Sequence, residues 1–325
     1  MTRHFRAAGL AAGAVLLATT ALAQGYPDRQ ITMVVPFAAG GPTDTVARLV
    51  GEKMSEDLGQ QIVVENVGGA GGTLGAAQVA EAEPDGYTVL LHHIGIATAD
   101  TLYRDLPYDT EAAFAPVGLV TEVPMTLVAR ADFEPADMAA FVQYVKDNAD
   151  TITMANAGIG AASHLCGMLF MQAVDAPIVT VPYRGTGPAM TELVGGQIDI
   201  MCDQTTNTAE QIRGGTIKAY AVTTPERLDI LPDLPTVAEA GLPGMEVSVW
   251  HGLYAPAGTP PEAVERLSQA LQAALADPEV GAAMAELGTA PSPAEDATPE
   301  ALEARLTEEI ARWRPVIEAA GVYAD

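Results

Sequence analysis

The chain has 325 residues, 49% of them hydrophobic and 18% charged, which is an ordinary globular composition and enough length for two domains. Its 42 acidic and 16 basic residues leave a formal charge of −26, a field that repels nucleic acid and anionic membrane surfaces and excludes both as partners. That charge names no ligand, because salt screens charges beyond about 8 to 10 Å and a local cluster of amide donors can bind an anion on a negative protein.

The first residues read as an export signal: Arg3, His4 and Arg6 precede an apolar run over 7–18, and Ala21, Leu22 and Ala23 form a small-residue cleavage site. Residues 1–23 are therefore expected to be removed and the mature chain to be periplasmic. No later segment has about 18 uninterrupted apolar residues, so no membrane insertion of the mature chain is expected. Gln24 follows the cleavage site where a lipoprotein would carry cysteine, so no lipid anchor is expected either. The only cysteines, Cys166 and Cys202, can pair in an exported protein or remain free thiols. Neither sits in a nucleophile motif, and no Cys/His spacing suggests a metal cage, so no metal or other cofactor is expected.

From there, β-rich runs alternate with helical patterns, the mark of an α/β protein with mostly parallel sheets. A strand over 31–35 turns at Gly40, Gly41 and Pro42 into a helix whose Val46, Val50 and Met54 share one face. A strand at 61–65, a glycine cluster at 68–72, a helix carrying Ala76, Val79 and Ala80, and a strand at 88–91 complete a first series. An extended segment at 125–129, behind Pro124, opens a second. It continues through helix 135–148, strand 152–154, helix 163–173, strand 178–181, helix 188–194 and strands 198–201 and 218–222. A stretch over 247–254 is placed to carry the chain back, which makes the first lobe discontinuous. The C-terminal part turns helical, with Thr259 and Glu262 as a capping box around Pro260. Val264, Leu267, Leu271 and Leu275 line one helix; behind Thr298 and Pro299, the residues Leu302, Leu306, Ile310, Trp313 and Ile317 line the last. The expected division is 24–123 plus 251–325 for one lobe and 124–250 for the other.

In open α/β sheets ligands bind beyond the carboxyl ends of strands, where loops enter helices with their N–H groups pointing outward. The loop from Phe37 through Gly41 to Thr43 has that position, and the helix behind it adds attraction for an anion. Asp44 either caps and braces that loop or meets an amino group on a ligand. The cluster at 68–72 offers further amides but matches neither a P-loop nor a complete dinucleotide fingerprint. In the second series the loop from Asn156 to Ser163 repeats the geometry of the first. Ser163 and His164 are adjacent on a helix and point about 100 degrees apart, and no Gly-x-Ser-x-Gly elbow is present, so hydrolase chemistry is not expected. Tyr183, Arg184 and Thr186 occupy the next loop, and Asp203 and Gln204 the one after. Arg184 is either a carboxylate clamp or a solvent-facing or salt-bridged residue. Of His92 and His93, adjacent on a strand, at most one faces a ligand.

Taken in order, Pro36-Phe37-Ala38-Ala39-Gly40-Gly41-Pro42-Thr43-Asp44, Gly69-Ala70-Gly71-Gly72, Asp85-Gly86-Tyr87-Thr88, the loop at 158–164, Val181-Pro182-Tyr183-Arg184-Gly185, the run at 234–241 and the run at 252–260 closely resemble the Bug family of periplasmic binding proteins. The resemblance spans essentially the mature chain. It implies a type II periplasmic-binding fold, two lobes joined by two crossing strands and closing like a Venus flytrap on a carboxylate held by backbone amides and bridging waters. By the same resemblance Phe37, Gly41, Thr43 and Asp44, with Ala70, Gly71, Gly72 and His93, form one wall; Gly160, Ala161, Ala162, Ser163, Tyr183, Thr186 and Asp203 form the other. Ala161 and Ala162 stand where the family often has hydroxyl residues, and His92 and His93 where it has smaller polar ones. The implied function is capture, without catalysis, of a small organic carboxylate by a monomer that serves the integral membrane subunits of a tripartite tricarboxylate transporter. The alternative is a ligand-dependent partner of a sensor kinase.

Overall fold

A computed structural model describes residues 25–324; the expected leader at 1–23 lies outside the described residues. The first half runs β1 (Ile31–Val35), α1 (Pro42–Leu58), β2 (Ile62–Asn66), α2 (Thr73–Ala80), β3 (Thr88–His93) and, after a 3-10 turn at Ile94–Thr98, the short α3 (Ala99–Leu102). Then come β4 (Phe114–Arg130), α4 (Met138–Asn148), β5 (Thr153–Asn156), α5 (Ala162–Val174), β6 (Val179–Pro182), α6 (Thr186–Val194), β7 (Ile200–Gln204), α7 (Thr205–Arg213) and β8 (Ile217–Val222). The chain returns in β9 (Ser248–Pro256) and ends with α8 (Pro261–Leu275), α9 (Pro278–Glu286), β10 (Ala290–Pro291) and α10 (Pro299–Ala320).

β4 is the structural link between the two halves. Its residues Phe114 to Pro124 pair antiparallel with β9, which in turn pairs with β3 beside the parallel set β3, β1 and β2. Its residues Met125 to Arg130 pair antiparallel with β7 and β8, and β7 continues into the parallel strands β5 and β6. Each half is thus three parallel strands edged by antiparallel ones, in the order β2-β1-β3-β9-β4-β7-β5-β6. Beside the crossover, Thr223, just after β8, bridges the two crossing strands: its N–H donates to Met125 O and its carbonyl accepts from Val247 N–H.

β1 shows why helices cover both faces of the first sheet. Its Ile31, Met33 and Val35 join a core with α1 and α8, whereas Val34 joins the core with α2 and α10, the alternation a strand imposes. α1 starts with Pro42, whose missing N–H costs nothing in a first turn, and stops at Gly59 in the left-handed region, whose N–H bonds Ser55 O. In α10 the Thr298 hydroxyl accepts from Ala301 N–H, and Leu302, Leu306, Ile310, Trp313 and Ile317 are all buried as the spacing predicts. The capping box expected at α8 does not form: the Thr259 hydroxyl donates to Pro256 O, and the cap position falls to Pro260. The second half is filled by Phe133, Phe141, Phe170 and Tyr220, with Phe141 and Tyr220 stacked at 4.2 Å.

Cys166 and Cys202, left open by the sequence, form a disulfide with Cα atoms 6.0 Å apart, joining α5 to β7. Closing a loop with a sequence separation of 36 restricts the unfolded chain by about 3 to 4 kcal/mol. The Cys166→Ala/Cys202→Ala double variant is therefore expected to lose about that much stability in denaturant unfolding; a loss below about 1 kcal/mol would contradict this.

Candidate binding site

Five strand ends deliver residues to one enclosed cavity. β1 leads to Phe37 and then to Gly41, Pro42 and Thr43 at the start of α1, while β3 ends in His93. From the other half, β5 leads to Ala157 and on to Ala162 and Ser163 at the start of α5. There too β6 leads to Thr186 at the start of α6, and β7 ends in Asp203 and Gln204 at the start of α7. Four helices thus aim their amino termini into one space from two sides. The first N–H groups of a helix have no partner within it, and each such end carries a partial positive charge, so the arrangement attracts a negative oxygen. Among the described residues no lysine or arginine lines the cavity.

The side chains add donors without adding net positive charge. Ser163 Oγ accepts from Ala157 N–H at 2.9 Å, which leaves its own proton to donate. Thr43 Oγ1 lies 3.3 Å from His251 Nε2. His93 Nδ1 accepts from Gly95 N–H at 3.0 Å, placing the ring proton on Nε2, and the ring stacks on Phe37 at 4.5 Å. Burial presses the His93 imidazole down to about 3. It does the same to His92 and His251, helped by their neighbouring imidazoles, so all three rings are neutral. Burial pushes the Asp203 carboxyl up to about 6, against hydrogen bonds from Asn207 at 2.5 Å, from Gln204 N–H and from Thr186.

Of the residues expected to bind, Phe37, Gly41, Thr43, His93, Ala162, Ser163, Thr186 and Asp203 line this cavity. Asp44 does not. Its carboxylate is taken by Gly40 N–H, by Arg48 in two contacts of 2.9 and 3.0 Å, and by Asn66 at 3.0 Å. Burial raises that carboxyl, but these hydrogen bonds outweigh it and hold it below its ordinary value. Ala70 is exposed, and Gly71, Gly72, Gly160, Ala161 and Tyr183 lie behind or beside the lining. His92 spends its Nδ1 on His93 N–H. The Arg184 side chain is exposed; its main-chain carbonyl does the work, accepting from Ala38 N–H across the halves at 2.8 Å. Pro42, Ala157 and Gln204 line the cavity without having been expected there.

The residues beside the lining form a seam. Tyr103 Oη donates to Ile159 O at 2.8 Å and Thr98 Oγ1 to Gly160 O at 3.2 Å, both joining the halves. At Gly71 a Cβ would lie 1.9 Å from Ile159 O, and at Gly187 2.8 Å from Gly40 C, so main chain meets main chain. The halves are therefore closed on each other. The cavity between them is small, about 260 Å³ with open solvent included. A larger hollow, about 1210 Å³ with open solvent included, lies between α5 and α10. It is lined mainly by apolar side chains such as Met168, Leu169, Val316 and Ala319, and it lacks the convergent polar groups that orient a ligand.

Among the described residues no helix is long and apolar enough to cross a membrane, and no group of three or more His, Cys, Asp or Glu is placed to hold a metal ion. Residues 46–322 match the model of the tripartite tricarboxylate transporter family receptor, TctC. A protein from Agrobacterium vitis, described as the UPF0065 protein in the TAR-I ttuE-ttuC' intergenic region, is 54% identical over 95% of this chain and 89% of its own length. The structure of the periplasmic binding protein BugD is 52% identical, with a TM-score of 0.90 over 92% of this chain and all of that one. MatC from Rhodopseudomonas palustris, solved with bound malate, is 44% identical with a TM-score of 0.87, covering 90% of this chain and all of that one. An R. palustris protein solved with adipate is 33% identical with a TM-score of 0.86, covering 92% and 99%. The family is one of solute receptors and not of enzymes, and the α/β fold with its curled sheet is that of BugD. The chain belongs to the tripartite tricarboxylate transporter receptor family, the TctC or Bug group of periplasmic solute-binding proteins.

Proposed function

We propose that the protein is exported to the periplasm and, as a monomer, captures a small di- or tricarboxylate in the cavity between its lobes for delivery to the integral membrane subunits of a tripartite tricarboxylate transporter. One observation carries this reading: four helix amino termini from opposing lobes meet in a cavity lined by hydroxyl, imidazole and amide donors. Malate and adipate in the related structures supply the class of ligand. The binding residues in this reading are Phe37, Gly41, Thr43 and His93 from one lobe and Ala162, Ser163, Thr186 and Asp203 from the other.

In the same reading, residues 24–123 with 251–325 move as one body against 124–250, about the β4 and β9 crossing. The closed cavity is too tight to admit a carboxylate from solvent, so the lobes part to load and the ligand then draws them together. It does so because only the closed form lets both sets of helix ends meet the same anion, and that difference in affinity shifts the population.

Calorimetry against di- and tricarboxylates is expected to give one-to-one binding with the ligand recovered unchanged; consumption of ligand without stoichiometric capture would overturn the reading. Closure has its own test at Gly187, a helical position where alanine is locally favourable but the added Cβ meets Gly40 of the other lobe. Gly187→Ala should keep its unliganded stability yet bind its carboxylate at least about tenfold more weakly, without the compaction on binding expected of wild type in small-angle scattering. Unchanged affinity would contradict the seam's role. The Asp203 carboxyl, pushed up to about 6 by burial with the lobes closed, is held further toward its protonated form when an anion sits beside it. Binding then takes up a proton: affinity is full below pH 6 and weakens as pH rises through and above it. Asp203→Asn should flatten that slope in calorimetry run across pH 5 to 8, and an unchanged slope would count against it.

A further inference from the structure

Gln204 occupies the cap position of α7 but does not cap it: no side-chain hydrogen bond is made to the helix start. Its side chain is instead 2% exposed, lines the cavity, and leaves Oε1 buried without a partner; its amide nitrogen donates to no described residue either. A buried amide oxygen left unspent is costly in a folded protein, so its presence at the cavity needs a reason. The rest of the lining offers donors: the Ser163 hydroxyl, His93 Nε2–H and the helix ends. These suit carboxylate oxygens, which only accept. Gln204 Oε1 asks for the opposite, a donor on the ligand, while the adjacent amide nitrogen can serve a carboxylate oxygen.

We propose that Gln204 selects dicarboxylates that carry a hydroxyl group on the carbon next to a carboxylate, its carbonyl oxygen accepting from the hydroxyl and its nitrogen donating to that carboxylate. The proposal rests on the carboxylate reading of the same cavity. An amide placed either way round serves it, since both of its ends are free. A hydroxyl fits better than an ammonium group, because the acceptor is neutral and the helix ends around it repel a cation. An unsubstituted dicarboxylate would shut Oε1 into the cavity with no donor, and a site built to bond a hydroxyl rejects the analogue that lacks it.

The test is calorimetry at pH 7.5 with succinate, L-malate and L-aspartate, which share a four-carbon dicarboxylate frame and differ in the group on carbon 2. Wild type is expected to bind malate at least about tenfold more tightly than succinate or aspartate. Gln204→Met keeps the length and removes the amide; it should bring malate to within about threefold of succinate, both having lost the nitrogen's bond to the shared carboxylate, with an unchanged circular dichroism spectrum to show that the variant is folded. Gln204→Asn, which withdraws the amide by one methylene, should lose the same preference if the Met variant does not fold. Equal binding of succinate and malate by wild type, or a malate preference that survives both substitutions, would overturn the assignment to Gln204. Tighter binding of aspartate than of malate would overturn the hydroxyl. Failure of wild type to bind any of the three would overturn the assignment to Gln204, and failure to bind adipate or a tricarboxylate as well would overturn the carboxylate reading along with it.

Discussion

The structure depends on a constraint set by main-chain geometry: helix amino termini from two lobes, each with N–H groups unspent, are aimed into one water-poor space. Partial charges that would count for little in solvent act there in a low dielectric, so a net charge of −26 and an anion-seeking pocket are compatible. Among the described residues no lysine or arginine lines that pocket, and the three neighbouring imidazoles, His92, His93 and His251, are kept neutral by burial. In the proposed capture, recognition rests on oriented dipoles and hydrogen-bond donors, which hold an anion without the strong pull of a full counter-charge and so leave it able to depart.

The same geometry explains the glycines. Helix ends from opposite lobes reach one ligand only if the loops before them come into main-chain contact, and side chains at Gly71 or Gly187 would hold the walls apart. The Ala38–Arg184 main-chain bond and the Tyr103 and Thr98 hydroxyls then fix the closed register. Within the second half, the disulfide between Cys166 and Cys202 fastens the helix that begins at Ala162 to the strand that ends in Asp203 and Gln204, so two parts of one wall keep their spacing.

Much of the architecture was legible because packing imposes period. Val46, Val50 and Met54 in α1, and Leu302 to Ile317 in α10, bury the faces their spacing describes. α7 escaped notice because its buried face is made of Thr205, Thr206, Thr208 and Ala209, which leaves little hydrophobic rhythm to read. β4 was seen only from Met125 because Pro116, Gly118 and Pro124 look like breaks; in the sheet the ladder shifts register between Pro116 and Gly118 and runs on. At the site, the glycine-bearing loops after strands were legible from position alone. Whether a loop residue faces the cavity or the seam depends on the opposing lobe, which is why Gly71 and Asp44 were expected among the contacts and Gln204 was not.

The central claim is that main-chain N–H groups of both lobes bind the anion. A crystal structure of the protein with its carboxylate bound tests it most directly. The account predicts carboxylate oxygens within about 3 Å of, or one water from, the N–H groups at the starts of α1 and of α5 or α6. A ligand seated in the apolar hollow between α5 and α10, or held by an arginine with those N–H groups turned away, would contradict it.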